Sequence, residues 1–337
     1  MKVVVFDDDP TGSQTVHGCP LLLHSDAASL RRGLADPSPL LFVLANTRAL
    51  DPEAARARVA ATCATLRQVL DEDPALAARL QPLLLVSRGD STLRGHFPLE
   101  LTTIEQQLLP AGVDARFLVP AFLPGGRTTV DGVHLLHGLP VHTSAFARDR
   151  LFGYGTSDLA AYIEAKTAGQ VPAAAVQRVT LAELDGDPQA LVERLARLPA
   201  GAWVVVDAVR PQQLAAFGAA VRQLTAPAAA ERWGRPRRFV FQAAASLLNG
   251  LVELAPQPLA GPALAKLGRR DGAGRPLPGL VLVGSHVPLA DAQLAHLLAA
   301  DPACSLVEIP VPQVARVLEG PVPEPLLASL EAAWLAQ

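Results

Sequence analysis

Three consecutive aspartates follow a short apolar run near the start of the chain. The run Val3–Val5 is β-branched and is typical of a buried strand, and Asp7, Asp8 and Asp9 come soon after it. Adjacent carboxylates at the end of a buried strand repel one another, and their charged forms are costly unless a cation is bound beside them. Ligands of open α/β sheets bind at the carboxyl ends of the strands. The sequence therefore predicts the floor of an active site at this edge.

Segments with strand and helix patterns alternate along the chain. This order favours an α/β fold in which a mostly parallel sheet is flanked by helices. The length of 337 residues suggests about two domains. Alanine, proline and glycine become dense near residues 225–260, where we place the boundary. Further strands are predicted over residues 21–23, 40–44, 83–86, 116–119, 203–209, 239–242 and 280–283, and helices include residues 52–70 and 289–299.

Charge and cysteine usage exclude several classes of protein. The net charge of −3 lacks the basic footprint of a nucleic-acid-binding protein. No apolar run is long enough to span a bilayer, and the first residues do not have the pattern of a signal peptide. Cys19, Cys63 and Cys304 are far apart and odd in number, which indicates neither a disulfide framework nor a CxxC metal site. We expect a cytoplasmic protein that binds neither nucleic acid nor membrane.

A second polar segment lies between a predicted strand and a predicted helix. Backbone N–H groups and the helix dipole favour an anion at such a position. Ser91 adds a hydroxyl donor, Arg94 can bind a carboxylate through two hydrogen bonds, and Asp90 can accept from a ligand hydroxyl. The alternative is an ordinary helix cap with a surface arginine.

Two further turns carry polar side chains after predicted strands. In the first turn, Gly125 and Gly126 allow a ligand to approach the backbone closely, and the guanidinium of Arg127 and the hydroxyl of Thr128 can donate hydrogen bonds to an oxyanion. In the second, Gly284, Ser285 and His286 form a strand–turn–helix of the phosphate-binding type. No GxxxxGK[ST] pattern occurs, so a P-loop is excluded.

His134 and His137 lack a third ligand nearby, so we expect no metal there. Asp7, Asp8 and Asp9 could bind Mg²⁺, accept a proton or bind sugar hydroxyls, and the alternative is a capped turn with solvated carboxylates. We name no residue of the chain as a metal ligand.

Together these motifs resemble the four-carbon acid sugar kinase family, the group of D-threonate and D-erythronate kinases. The resemblance covers most of the chain and rests on residues 7–16, 90–95, 120–129, 152–159 and 284–288. The Asp-Asp-Asp-Pro-Thr-Gly form is similar to a branch whose substrate is not threonate. The resemblance implies an N-terminal substrate-binding domain, residues 1–240, and a smaller α/β nucleotide-binding domain, residues 241–337. It also implies that ATP and Mg²⁺ serve to phosphorylate a hydroxyl of a small sugar acid.

The resemblance suggests a role for each candidate residue. Phosphoryl transfer depends on positioning and charge neutralisation more than on covalent chemistry. Asp8 and Asp9 are the expected catalytic residues, one of which takes the proton of the attacking hydroxyl. Contacts to the substrate are expected from Asp8, Asp90, Ser91, Arg94, Arg127 and Thr128, with the two arginines on its carboxylate. Contacts to the ATP phosphates are expected from Gly284, Ser285 and His286, and the protein is expected to form a homodimer.

The chain departs from the family pattern after the Gly-Ser turn. The family has a Gly-Gly-[Glu/Asp]-Thr-type segment well downstream that completes the ATP site, and no such segment occurs before Gln337. Residues 289–291 read Leu-Ala-Asp where hydroxyl and basic residues are usual. We therefore expect an incomplete nucleotide-binding domain, in a truncated product, one part of a split protein, or a member without kinase activity.

Two other functions remain open from the sequence. Asp7, Asp9 and Thr11 fit the nucleophile motif of haloacid-dehalogenase-like phosphohydrolases, in which the first aspartate is phosphorylated and the second is the acid. No acidic pair follows a later strand to hold Mg²⁺, which counts against this reading. The missing ATP segment favours the other alternative, a catalytically inactive sugar-acid-binding protein.

Overall fold

The structure is a computed structural model that describes residues 1–254, 259, 261–284, 288–309, 312, 328 and 332. Its contacts divide the chain into two compact units, Met1–Pro258 and Leu259–Gln337. The boundary predicted after residue 240 falls inside a strand of the first unit. The separate roles predicted for two domains stay predictions.

The first unit is built on an eight-stranded sheet in which every strand pair is parallel. In chain order the described strands are β1 (Lys2–Asp7), β2 (Leu21–Leu22), β3 (Leu40–Leu44), β4 (Leu83–Arg88), β5 (Ala115–Val119), β6 (Arg127–Val130), β7 (Val133–Leu136), β8 (Leu139–Pro140), β9 (Gln177–Val179), β10 (Ala202–Val206) and β11 (Phe239–Ala243). The order across the large sheet is β2-β3-β1-β4-β11-β5-β10-β9, and β6, β7 and β8 form a small antiparallel sheet. The predicted α/β fold with a mostly parallel sheet is confirmed.

Helices connect the parallel strands, and the sequence marks where several of them begin. In chain order they are α1 (Ala27–Ala35), α2 (Pro52–Glu72), α3 (Pro74–Arg79), α4 (Leu99–Leu108), α5 (Leu159–Lys166), α6 (Leu181–Leu184), α7 (Pro188–Ala196), α8 (Pro211–Thr225), α9 (Ala229–Trp233), α10 (Ala245–Leu251), α11 (Gly261–Ala265) and α12 (Pro288–Ala300). The side chains of Asp26, Asp51 and Asp158 accept a backbone N–H at the starts of α1, α2 and α5. Such caps satisfy donors that have no partner within the helix. None of the described helices is both long and apolar enough to cross a bilayer.

The core lies on both faces of the large sheet. Val3 and Val5 of β1 pack in one apolar cluster with side chains of α7, α8 and α10. Val4 and Phe6 point to the other face and pack in a second cluster with side chains of α1, α2 and α4. Helices on both faces explain why β1 is an almost continuous apolar run, as expected for a parallel strand. The acidic end of β1 is therefore fixed in the middle of a three-layer fold.

The prediction of a strand over residues 280–283 is wrong. Residues 280–283 of the second unit have no strand assignment, and their side chains are 47–85% exposed. An apolar run becomes a strand when a neighbouring strand pairs with its backbone and another layer covers its side chains. Within the described part of the second unit neither is present. The helix predicted next to this run is confirmed as α12.

We predict that G218A destabilises the first unit. Gly218 of α8 faces Gly250 of α10, and a Cβ at Gly218 would lie 1.8 Å from the carbonyl oxygen of Gly250. Helix propensity alone would favour alanine by about 1 kcal/mol, but overpacking costs about 1–3 kcal/mol and sometimes more. Because the clash is with backbone atoms, we expect a cost near the upper end of this range, about 3 kcal/mol, and therefore a net loss of about 2 kcal/mol in the free energy of unfolding, measured by urea denaturation.

The matched control is A219G on the exposed side of α8. It removes a methyl group from the same helix to which G218A adds one, and helix propensity predicts a cost of about 1 kcal/mol in the free energy of unfolding. A G218A protein at least as stable as the wild type would contradict the close approach of the two helices.

Candidate functional site

The aspartates after β1 are bound by two arginines from the neighbouring strands. β1 lies between β3 and β4, and Asp7 is in register with Arg88, the last residue of β4. Arg48 lies four residues beyond β3. Nε and Nη2 of Arg48 donate to the two oxygens of Asp8 at 2.9 and 2.6 Å, and Nη1 donates to Asp9. Nη1 of Arg88 donates to Oδ1 of Asp9 at 2.8 Å and to Oδ1 of Asp8 at 3.3 Å.

Asp7 differs from its two neighbours. Its side chain is fully buried, and neither carboxylate oxygen has a hydrogen-bond partner among the described residues. The nearest cation is Arg88, whose Nη1 lies 3.3 Å from Oδ1. A Cβ at Gly12 would lie 2.1 Å from the same oxygen, so the turn after the aspartates requires glycine at this position.

Burial and charge shift the three carboxyl groups in different directions. Burial raises the pKa of Asp7 to about 7 against the opposing charge of Arg88. Burial also raises the pKa of Asp8, although its arginine partners oppose the rise. At Asp9 burial is outweighed, mainly by hydrogen bonds from Thr11, and the pKa is lowered. The three groups are therefore not equivalent as proton acceptors.

The donor chemistry of this cluster suits a hard cation, but two guanidinium groups are already there. One carboxylate oxygen from each of Asp7, Asp8 and Asp9 can be chosen so that all three lie within 4.8 Å of one another. Oxygen ligands of this kind suit Mg²⁺. Arg48 already supplies positive charge to Asp8 and Asp9, and Arg88 supplies it to all three carboxylates.

Asp90 and Arg94 form a second charged group beside the first. Nε of Arg94 donates to Oδ2 of Asp90 at 2.6 Å, and the hydroxyl of Thr92 donates to the same oxygen. Burial of Asp90 is outweighed by Arg94 and Arg48, and its pKa is lowered. Phe146 supports the guanidinium from one side, with 4.8 Å from its ring centroid to Cζ of Arg94. Among the described residues, no group bonds the two terminal nitrogens of Arg94.

The charges of Asp90 and Arg94 act on Arg127. Burial lowers the pKa of Arg127, Asp90 opposes the shift, and Arg94 adds to it. Nη1 donates to the carbonyl oxygen of Gly125 at 2.6 Å, while Nε is buried without a partner in the described part of the chain. Arg127 therefore retains donors that a bound anion can use.

A buried histidine fastens the hairpin that carries Arg127. Oγ1 of Thr129 and Nδ1 of His134 are 2.9 Å apart, and Nε2 of His134 lies 2.8 Å from the carbonyl oxygen of Ser91. A carbonyl only accepts, so Nε2 carries the proton and Nδ1 accepts from the threonine. Asp207 accepts the backbone N–H groups of residues 131 and 132 at 2.9 Å each. The bond to Ser91 holds the hairpin of β6 and β7 against the loop after β4, and the bonds to Asp207 hold it against the end of β10.

A cleft joins these charged groups at the carboxyl edge of the sheet. Three of the predicted site residues line it, namely Asp8, Asp90 and Arg94. Asp9, Ser91, Arg127 and Thr128 lie in the surrounding segments but not among its lining residues. The remaining lining residues include Gly89, Gly95, Glu100, Tyr162 and Gln242.

The predicted ATP contacts lie in the second unit. Gly284 is exposed and outside any helix or strand. Ser285 and His286 lie outside the described residues. The phosphate-binding role of this turn stays a prediction.

Sequence reasoning missed Arg48, Arg88, Glu100 and His134. The sequence did contain a signal for the two arginines, because each lies within four residues of the end of a predicted strand, residues 40–44 for Arg48 and residues 83–86 for Arg88. What the sequence did not supply is the order β3-β1-β4, which brings both strands alongside β1. Glu100 had the pattern of a surface residue near a helix start, yet it is only 4% exposed.

Comparisons with known proteins give consistent results. The model of the family described as "Sugar-binding N-terminal domain" matches residues 3–251. The D-threonate kinase of Cupriavidus necator is 33% identical over 196 residues, which are 56% of this chain and 43% of that protein. The D-erythronate kinase of Heliobacterium modesticaldum is 29% identical over 154 residues, 44% of this chain and 32% of that protein. Both matches span less than half the length of these curated relatives.

A solved structure from Bordetella bronchiseptica is also similar. It is described as a domain of unknown function (DUF1537) with bound citrate, in a domain-swapped dimer. The match has a TM-score of 0.52 and 25% identity, and it covers 74% of this chain and 56% of that one.

We predict that His134 makes stability depend on pH. Burial lowers the pKa of His134 to about 4. As the pH falls below about 6.5, His134 becomes protonated in the unfolded chain, whereas in the folded state it stays neutral until about pH 4. Stability is therefore retained above pH 6.5 and lost between these values. Between pH 7.5 and 4 the free energy of unfolding of the wild type should fall by about 2–3 kcal/mol more than that of H134Q.

Denaturant unfolding at a series of pH values measures this difference. The other titrating groups are the same in both proteins, so their contributions cancel when the pH dependence of H134Q is subtracted from that of the wild type. Parallel pH curves for the two proteins would contradict the burial of a neutral His134.

Proposed function

Because the chain belongs to the sugar-binding N-terminal domain family of the four-carbon acid sugar kinases, we propose that its cleft binds a small sugar acid for ATP-dependent phosphorylation of a hydroxyl. The match over residues 3–251 confirms the family resemblance seen in the motifs. The relatives named D-erythronate kinase and D-threonate kinase support the reaction and the substrate class.

The observation that carries the proposal is the supply of free guanidinium donors around Asp90. The Arg94 side chain is 28% exposed and bonds Asp90 through Nε, so its terminal nitrogens are available to a ligand. Nε of Arg127 is buried without a partner in the described part of the chain. Burying an unpaired polar atom is costly, and a carboxylate that accepts from Arg127 would remove that cost. Charge-assisted bonds of this kind are among the strongest in proteins. The citrate in the Bordetella structure is consistent with an acid ligand.

The acids of the cleft suit the hydroxyl end of the same ligand. Asp8 and Asp90 both line the cleft, and carboxylates orient hydroxyls by accepting from them. We propose that Asp8 takes the proton of the attacking hydroxyl. Its two bonds from Arg48 fix the orientation of the carboxylate, while Asp9 completes the network by holding Arg48 and Arg88 in place.

We propose that the turn at residues 284–286 binds the phosphates of the nucleotide, as the family resemblance implies. ATP supplies the phosphoryl group, and Mg²⁺ is expected to accompany its phosphates. We assign none of the described residues to the metal. The chain covers less than half of its curated relatives, so activity, substrate and a homodimer are proposals for this protein.

The structure disfavours the phosphohydrolase alternative. That mechanism needs Asp7 to attack a phosphate ester, but the Asp7 side chain is fully buried and Gly12 packs against it. Asp7 does not line the cleft either.

Binding and turnover can be measured separately. We expect D-erythronate or D-threonate to bind the wild type in isothermal titration calorimetry. R94A should weaken binding about 10- to 100-fold, because it removes charge-assisted bonds to the ligand carboxylate. R150A is the matched control, since it removes one positive charge from an exposed position outside the cleft.

An assay of ADP release with the acid and Mg²⁺-ATP then tests the kinase. Turnover that requires the acid supports the full proposal. Acid binding without turnover would assign the chain to the sugar-acid-binding alternative. Equal affinity of R94A and the wild type would overturn the role of the arginine.

A further inference from the structure

Glu100 is a buried acid that none of the proposed steps uses. It lies in the first turn of α4, directly after the loop that carries Asp90 and Arg94. Oε2 accepts a hydrogen bond from the hydroxyl of Ser87 at 3.2 Å. Oε1 has no hydrogen-bond partner among the described residues.

No arginine or lysine pairs with this carboxyl group in the described part of the chain. Each aspartate of the first cluster has an ion pair, and so has Glu105 on the same helix, with Arg116. Burial raises the pKa of Glu100 to about 7, and the charge of Asp8 adds to the rise, while the hydroxyls of Thr47 and Ser87 and the charge of Arg48 oppose it. A buried carboxyl oxygen without a partner is costly, and Glu100 has no ion pair of the kind that its acidic neighbours have.

Glu100 lines the same cleft as Asp8 and Asp90. A second lining residue, Gln242 of β11, also has a buried oxygen without a partner. Two glycines keep the cleft open. A Cβ at Gly95 would lie 3.3 Å from Oδ2 of Asp8, and one at Gly89 would lie 2.6 Å from Nε2 of Gln242. The cleft thus offers free acceptors in addition to the free donors of Arg94.

Free acceptors and free donors suit different parts of one ligand. Guanidinium donors match a carboxylate, whereas a carboxyl oxygen without a partner matches a hydroxyl. A site built to hydrogen-bond a hydroxyl rejects an analogue that lacks it, because the protein atom is then left unpaired. This is a stronger basis for selectivity than the fit of an apolar surface.

We infer that Glu100 is a specificity-determining residue of this cleft, whose free Oε1 accepts a hydrogen bond from one hydroxyl of the bound sugar acid. The inference rests on the proposed function and adds to it. It assigns to a residue outside the recognised motifs the selection of polyhydroxy acids over acids that lack one hydroxyl.

Thr47 offers a purely structural role for the same group. Its buried hydroxyl makes no hydrogen bond of good geometry, but it lies close enough to Glu100 to lower the pKa of that carboxyl group, as the hydroxyl of Ser87 does. In that role Glu100 would hold the segment after β3 in place. Its loss would then weaken every ligand equally.

The test is calorimetry with D-erythronate and its 2-deoxy, 3-deoxy and 4-deoxy analogues. The proteins are the wild type, E100Q, E100M and the control E105Q. We expect E100M to bind D-erythronate at least tenfold more weakly than the wild type, and E100Q to be intermediate because its amide oxygen still accepts. One deoxy analogue should bind the wild type and E100M with equal affinity, since it lacks the hydroxyl that Glu100 contacts. E105Q should bind all four ligands as the wild type does.

Three results would overturn the inference. E100Q and E100M that bind every ligand like the wild type would show that Glu100 contacts none of them. An equal loss for D-erythronate and all three analogues would assign Glu100 a structural role. A wild type that binds none of the four acids would overturn both the inference and the proposed function, and this outcome is distinct from the other two.

Discussion

The site depends on the balance of three carboxylates and two guanidinium groups at the end of one central strand. β1 is covered on both faces, so Asp7, Asp8 and Asp9 cannot turn away into water together. Arg48, four residues beyond β3, and Arg88, the last residue of β4, both reach these carboxylates. Removing one partner from a buried ion pair leaves an unpaired charge, which is strongly destabilising. Fold and site are therefore coupled through these contacts.

Two neighbouring groups of charges differ in how completely they are satisfied. Around β1, Asp8 and Asp9 are paired with Arg48 and Arg88, whereas the buried oxygens of Asp7 and Nε of Arg88 have no hydrogen-bond partner among the described residues. Around Asp90 the guanidinium nitrogens of Arg94 and Arg127 are only partly used, and Glu100 retains a free oxygen. Unsatisfied groups beside a network of ion pairs are what a preorganised ligand site requires. The division supports a rigid acid–arginine base and an adjacent cleft that completes its hydrogen bonds with a ligand.

Local patterns were enough to predict the α/β class, most strands, and three of the residues that line the cleft. They failed where the outcome depends on partners distant in the chain. Arg48 and Arg88 reach Asp8 because of strand order, which no local pattern encodes. Residues 280–283 have a strand-like composition, but the described part of their unit provides no neighbouring strand. His134 links the hairpin of β6 and β7 to the loop after β4 only because the hairpin folds back onto that loop at Ser91.

The large sheet ends in two very short strands. β2 has two residues and β9 has three, and they form its outer edges. An exposed edge presents unpaired backbone groups that can recruit a strand from another molecule, and short edge strands limit this recruitment. A sheet with an apolar centre thus ends in edges that are poor templates. The architecture itself disfavours intermolecular sheet growth and aggregation at high concentration.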